Sequence, residues 1–207
     1  MTTSAFFRHF PIPRLLHTST TPVKPHLRTE TGCIYERHAI TFMSAPVLAQ
    51  GLGLVQVFHR GLRSSHDGGI DVSATWPLTP PLRVLAQCKD SRVELRFIRE
   101  LEGTLVTTPN SPPVLGILFA SRGFTRPALE RAQSSSLPIL LIHLLSPRLD
   151  PTATEGGFGL KGAYPNSMAE TLLEPIRFVS AYTSSSGRGL ERKPVLWNSL
   201  DEGLWKG

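Results

Sequence analysis

The 207-residue chain has only two cysteines, Cys33 and Cys88. That excludes a disulfide scaffold and a four-cysteine zinc site. Long apolar runs are also missing. Val114–Ala120 and Leu137–Leu145 are the longest, well short of the roughly 18 residues a membrane helix needs, so no integral span is expected. There is no G-x-S-x-G elbow and no P-loop. Acids are absent before Glu30, where Arg8, Arg14, Lys24 and Arg28 stand among many serines and threonines. An arginine-bearing, acid-free, Ser/Thr-rich start is the composition of a mitochondrial transit peptide. Phe6, Phe7 and Phe10 could form its apolar face, and Arg14-Leu15-Leu16-His17-Thr18-Ser19 resembles an arginine-led cleavage site. No apolar segment follows the basic residues, which disfavours a secretory signal. Residues 1–29 are therefore read as a targeting segment.

What is present is enough for one domain. Forty per cent of residues are hydrophobic, which supports a core and excludes wholesale disorder. The net charge of +6 favours a polyanionic partner or a basic address.

From Cys33 onward, Tyr35, Ala39, Ile40, Met43 and Val47 recur at helical spacing, predicting a helix over 33–50 that Gly51 and Gly53 stop. Short strands are predicted over 54–59, 70–76 and 84–89, with a proline loop before the last. Val93, Phe97, Leu101 and Leu105 predict a helix over 93–105. Continuous apolar strands over 114–120 and 137–145 flank a helix over 127–134, with Thr125 as cap. The order α–β–β–β–α–β–α–β implies one mixed α/β sheet with helices on both faces over 33–147. Residues 148–207 are expected to be a loop-rich extension, with 150–168 a long loop and 184–189 a Ser/Gly linker.

One stretch carries chemistry. Asp67-Gly68-Gly69-Ile70-Asp71 precedes Ala86-Gln87-Cys88-Lys89-Asp90. Alternation on a strand gives Gln87 and Lys89 one face, and Ala86 and Cys88 the buried other. If the two strands form a hairpin, Asp71 comes to its open end, near both. A carboxylate, an amide oxygen and an ammonium would then meet at one edge of the sheet. Oxygen ligands suit a divalent cation, and an ammonium suits the charge that develops during phosphodiester cleavage.

These residues, with helix-borne Glu36, resemble the PD-(D/E)XK nuclease core in the Gln-x-Lys form of Mrr-like restriction endonucleases. Gly116-Ile-Leu-Phe-Ala-Ser-Arg-Gly-Phe-Thr125, followed by Ala128 and Ala132, is similar to the strand, turn and helix that come after that active site. With the transit-like start, the chain resembles the fungal mitochondrial "required for respiratory growth" protein seven family. The resemblance implies a restriction-endonuclease-like mixed sheet. It implies Asp71, Gln87 and Lys89 as catalytic residues, with Glu36, Asp71 and Gln87 holding Mg2+ or Mn2+. DNA is the implied partner, with a homodimer as the candidate assembly. Gln87 stands where that motif usually has glutamate, which removes one negative charge. A catalytically silent nuclease-fold protein that binds nucleic acid or protein is therefore the alternative.

Taken singly, the same residues have plain uses. Asp71 could cap a turn, Lys89 could be a solvated strand end and Glu36 an exposed helix residue. Arg92, Arg96 and Arg99 line one side of the second helix, where they could touch phosphates or pair with Glu94 and Glu100. Gly157-Phe158-Gly159-Leu160-Lys161-Gly162 matches G-x-G-x-x-G, but no strand precedes it and a dinucleotide site is not expected. His38, His59, His66 and His143 lack metal-ligand spacing, and both cysteines read as core.

Overall fold

A computed structural model describes residues 30–46, 51–59, 68–149, 158–174, 176–185 and 189–198. The predicted targeting segment, His66, Asp67 and Trp205 lie outside the described residues.

Twelve elements follow in order: α1 (Glu30–Ser44), β1 (Val55–His59), β2 (Val72–Trp76), β3 (Leu82–Lys89), α2 (Leu95–Thr107), β4 (Val114–Ala120), α3 (Arg126–Gln133), β5 (Ile139–Leu144), β6 (Leu160–Pro165), α4 (Ser167–Leu172), β7 (Ile176–Ser185) and β8 (Gly189–Asn198). The first eight reproduce the expected order. Strands β1 to β6 lie side by side in sequence order in one six-stranded sheet. β1, β2 and β3 run antiparallel in turn, β3, β4 and β5 are parallel, and β6 returns antiparallel to β5. The two parallel joins need crossovers, and α2 and α3 supply them.

Helices cover both faces. On one side Tyr35, Ala39, Phe42 and Met43 of α1, with Ala169 of α4, pack on Val84, Ala86, Ile117, Phe119 and Ile142. Phe42 meets Phe119 edge-on, with ring centroids 6.1 Å apart. On the other side Ile98, Leu101 and Leu105 of α2 and Ala128 and Ala132 of α3 pack on Leu85, Leu118 and Leu141. β4 is buried along its whole length, as its continuous apolar run requires.

Several boundaries differ from expectation for physical reasons. α1 ends at Ser44 rather than near residue 50, because Pro46 disfavours helical geometry just before it. In α2 the buried set is Ile98, Leu101, Glu102 and Leu105, while Phe97 is only half-buried. β1 does not keep its alternation. Gln56 has φ +49°, the β1–β2 register slips between Val55 and Phe58, and most of the strand is exposed.

The expected long loop over 150–168 contains β6, which extends the sheet beyond residue 147. Ser184 and Ser185 belong to β7 and Gly189 to β8, two strands paired antiparallel in a second sheet, and the rest of the expected linker, 186–188, lies outside the described residues. Cys88 is core, as read, whereas Cys33 is half-exposed. No helix among the described residues is long and apolar enough to cross a membrane.

Candidate functional site

The β2–β3 hairpin forms as the alternation requires. Val72 pairs with Ala86 and Trp76 with Leu82. One step beyond Val72, the Asp71 N–H still donates to the Ala86 carbonyl at 2.9 Å. Its carboxylate then takes over from the backbone: Asp71 Oδ2 accepts from the Cys88 N–H at 2.7 Å. Asp71 is buried and fixed beside Gln87 and Cys88. These three positions lie at one end of the central strands, not on an edge strand.

Leu85 packs under α2 and α3, whereas Ala86 and Cys88 pack under α1. By strand alternation Gln87 and Lys89 therefore take the α2 side. Gln87 is fully buried, and its Nε2 donates to the Gly68 carbonyl at 2.9 Å. Thr104 of α2 donates to the same carbonyl at 3.1 Å, tying the turn before β2 to α2. That turn needs its two glycines. Gly68 and Gly69 have φ of +61° and +76°, and a Cβ on Gly69 would strike Glu100 Oε1 and sit 2.8 Å from Gln87 Nε2. The other amide atom, Gln87 Oε1, is buried without a hydrogen-bond partner. Such an atom costs on the order of 1–3 kcal/mol unless something satisfies it.

Lys89 is half-buried at the end of β3, its Nζ 4.9 Å from the Phe97 ring centroid. Arg96 stacks on the same ring at 4.6 Å. Neither contact needs a carboxylate, so the Lys89 ammonium is held by a ring face.

Glu36 is not an exposed helix residue. It is buried on α1, and its Oε2 lies 2.8 Å from His59 Nε2. His59 ends β1 opposite Val72, one residue from Asp71. Glu36 thus belongs to the layer opposite Gln87, and the fold brings it to this end of the sheet beside His59. Arg92 precedes α2 instead of lying on it, while Arg96 and Arg99 are exposed on the helix. Arg96 lies 3.5 Å from Glu94, an exposed pair of small weight.

Among the described residues, no group of three His, Cys, Asp or Glu side chains is assembled to hold a metal ion. The donor set that remains is mixed: the carboxylates of Glu36 and Asp71 and the orphaned amide oxygen of Gln87. All are hard oxygen donors, which fit Mg2+ or Mn2+ in kind.

Three polar residues received no role in the sequence reading. His59 had no motif to mark it. Glu102, buried on α2, accepts from Ser135 Oγ at 2.7 Å and from Arg131 Nη2 at 2.9 Å, joining α2 to α3. Asn166 is likewise buried, between β6 and α4. The G-x-G-x-x-G run ends on β6, with Gly159 in the turn before it, so no helix starts there and the dinucleotide pattern is absent.

Fold and site together define an α/β protein on a mixed sheet, with acidic, amide and basic side chains gathered at one end of its central strands. Residues 77–173 match the model of the family described as Required for respiratory growth protein 7. The span runs from just after β2 through α4, so it holds Gln87 and Lys89 and leaves out Glu36 and Asp71. None of the curated proteins matches the chain. Among solved structures, the MspJI restriction endonuclease in complex with a 27-mer oligonucleotide is similar at 22% identity and a TM-score of 0.33. That match covers 51% of this chain and 25% of the other, so the chain spans about a quarter of the structure it matches.

Proposed function

We propose that this chain is a mitochondrial nuclease-fold protein that acts on DNA in support of respiratory growth, as a Mg2+- or Mn2+-dependent endonuclease or DNA-processing factor. The observation that carries the reading is Gln87 Oε1, buried and unpartnered beside Asp71. A bound divalent cation would activate a water and draw charge from the scissile phosphate. Asp71 and Gln87 would hold it, and Glu36 would have to reach it from the opposite layer at the same end of the sheet. Asp71 is already positioned by the Cys88 N–H, so little reorganisation is asked of it. Lys89, steadied on Phe97, would meet negative charge as it grows on the phosphate. Arg92, Arg96 and Arg99 would supply backbone contacts that carry no sequence information. A homodimer would offer one such site to each strand of a duplex.

A second reading draws on the same hydrogen bonds. Asp71 completes the hairpin and Gln87 Nε2 holds the Gly68 turn, so both residues serve the fold without catalysis. On that reading the protein binds nucleic acid or a protein partner and cleaves nothing.

Purified protein incubated with labelled DNA, with and without Mg2+ or Mn2+, separates the two. The nuclease reading expects metal-dependent cleavage that Asp71→Ala abolishes. Binding unaffected by chelator, with no cleavage of linear, nicked or single-stranded DNA, would establish the silent reading instead.

A further inference from the structure

The three parallel strands β3, β4 and β5 all finish at the end of the sheet that carries Asp71, Gln87 and Lys89. Their register draws one line across it: Lys89 pairs with Ala120, Ala120 with His143, and His143 with Gly162 of β6. At about 4.8 Å per strand, that line is roughly 14 Å long. In open α/β sheets, the crevice outside the carboxyl ends of parallel strands is where ligands bind.

The loops beyond this line are bound to one another. Ser121 N–H donates to the Lys89 carbonyl at 3.1 Å and Arg122 N–H to the Ser91 carbonyl at 3.3 Å. Val93 N–H donates to the Gly123 carbonyl at 2.9 Å, and Thr125 N–H returns to Val93. Arg92 and Arg122 are therefore held close together by backbone. Gly123 has φ +70°, and a Cβ there would touch the His143 ring at 3.4 Å, so the turn lies against the imidazole. Lys161 follows on β6, where the ladder slips between His143 and Leu144.

On the helices Arg96, Arg126 and Arg131 are each paired with a carboxylate, whereas Arg37 and Arg99 are exposed with no ion pair among the described residues. Arg92, Arg122 and Lys161 are exposed and have no ion pair among the described residues. The acid that accompanies them there is Asp90, half-buried next to Lys89. Unpaired like charges gathered along one rim repel one another and favour a polyanion laid across them. Burial lowers the pKa of His143, and the nearby Lys161 charge pushes the same way, against a backbone hydrogen bond to Ser121. The neutral ring has a single N–H, which the Ser121 carbonyl takes, so His143 braces the Gly123 turn and offers no donor to a phosphate.

We propose that this rim is a track for the nucleic-acid backbone, on which Arg122 and Lys161 extend phosphate contacts from Lys89 and Arg92 across to β6. It rests on the nuclease-fold reading and adds to it: the strand would cross the sheet end, and the exposed face of α2 would not be its main contact.

The test is salt-dependent binding of the full chain to a fluorescein-labelled duplex, read by anisotropy between 50 and 300 mM KCl. All variants keep the basic first 29 residues, so that segment contributes equally. Arg122→Ala and Lys161→Ala should each lower the slope of log affinity against log salt by about 0.9, and the double variant by about twice that. The loss should be the same on unrelated sequences, since phosphates carry no sequence information. Arg126→Ala, whose guanidinium is paired on α3, should leave the slope unchanged. Salt-dependent binding by the wild type with unaltered slopes in both rim variants would overturn the track and leave the nuclease-fold reading standing. A wild type that binds no DNA at 50 mM salt would overturn both.

Discussion

Glu36 on α1 and His59 at the end of β1 meet at 2.8 Å, the carboxylate buried and the imidazole more than a third exposed. A partner of this kind fixes which oxygen of a carboxylate faces a metal. Loss of such outer contacts costs roughly 10- to 100-fold in metal affinity or activity. His59→Ala is therefore expected to weaken Mn2+ binding, followed by calorimetry, by about that factor, while His59→Gln recovers part of the loss. Equal Mn2+ affinity in wild type and His59→Ala would show that His59 does not position Glu36.

Asn166 is expected to be the polar residue whose loss harms the fold most. Its Oδ1 accepts from Ile139 N–H at 3.2 Å and Ala169 N–H at 2.9 Å. Its Nδ2 donates to the carbonyls of Ala132, Ser135 and Leu137 at 3.0, 3.2 and 2.8 Å. One side chain thus closes the end of α3, sets the start of β5 and caps α4. Asn166→Ala leaves several buried backbone groups unsatisfied and should cost about 3 kcal/mol in urea unfolding. A loss below about 1 kcal/mol would mean that water replaces the amide.

Stability should rise with pH through the histidine range. Burial holds His38 below the ordinary value of 6.5, against an opposing hydrogen bond to the Phe158 carbonyl. Burial likewise lowers His143 from 6.5. The unfolded chain then binds more protons than the folded one between 6.5 and the lowered folded values. The stabilisation is complete above about pH 6.5 and is lost as pH falls below it. Melting temperature should fall from pH 7.5 to 5.5, and less steeply in His38→Gln. An identical slope in that variant would remove His38 as a source.

The order of the first eight elements was legible because each carries its own period: four-residue repeats in α1 and α2, continuous apolar runs in β4 and β5. The shared face of Gln87 and Lys89 was legible too, since strand alternation alone decides it. β6 was not. Leu160–Pro165 contains a glycine and a proline, and its strand form comes from pairing with β5 at the sheet's edge. The ends of α1 were missed because Pro46, not Gly51, stops it. His59 was read only as lacking metal-ligand spacing, because its partner Glu36 lies on another element, 23 positions away. Which way the Gln87 amide turns depends on the Gly68 carbonyl, which only the folded turn places.

Import into mitochondria is the expectation from the first 29 residues, which hold four Lys/Arg and no acid. A membrane potential, negative inside, draws such a segment inward. Deleting residues 2–29 should leave a fluorescent fusion in the cytosol, whereas the full-length fusion co-localises with a mitochondrial marker. Mitochondrial accumulation of the truncated fusion would show that the address lies elsewhere.

Lys89 should matter more to cleavage than to binding. Its ammonium sits two residues beyond Gln87 on the same face, steadied on Phe97. A charge there acts on the negative charge that grows on the phosphate in the transition state, so its removal lowers turnover more than affinity. Lys89→Ala should cut the single-turnover rate by roughly a hundredfold or more, as loss of a main electrostatic stabiliser does. DNA affinity should change little, because the other basic residues still meet phosphates. Arg92→Ala should show the opposite bias, with weaker and less salt-dependent binding and little change in rate at saturation. The two variants need the same two measurements, a salt titration of binding and a single-turnover time course. Wild-type rates in Lys89→Ala would exclude the transition-state role, and equal losses of rate and affinity would make Lys89 one more phosphate contact.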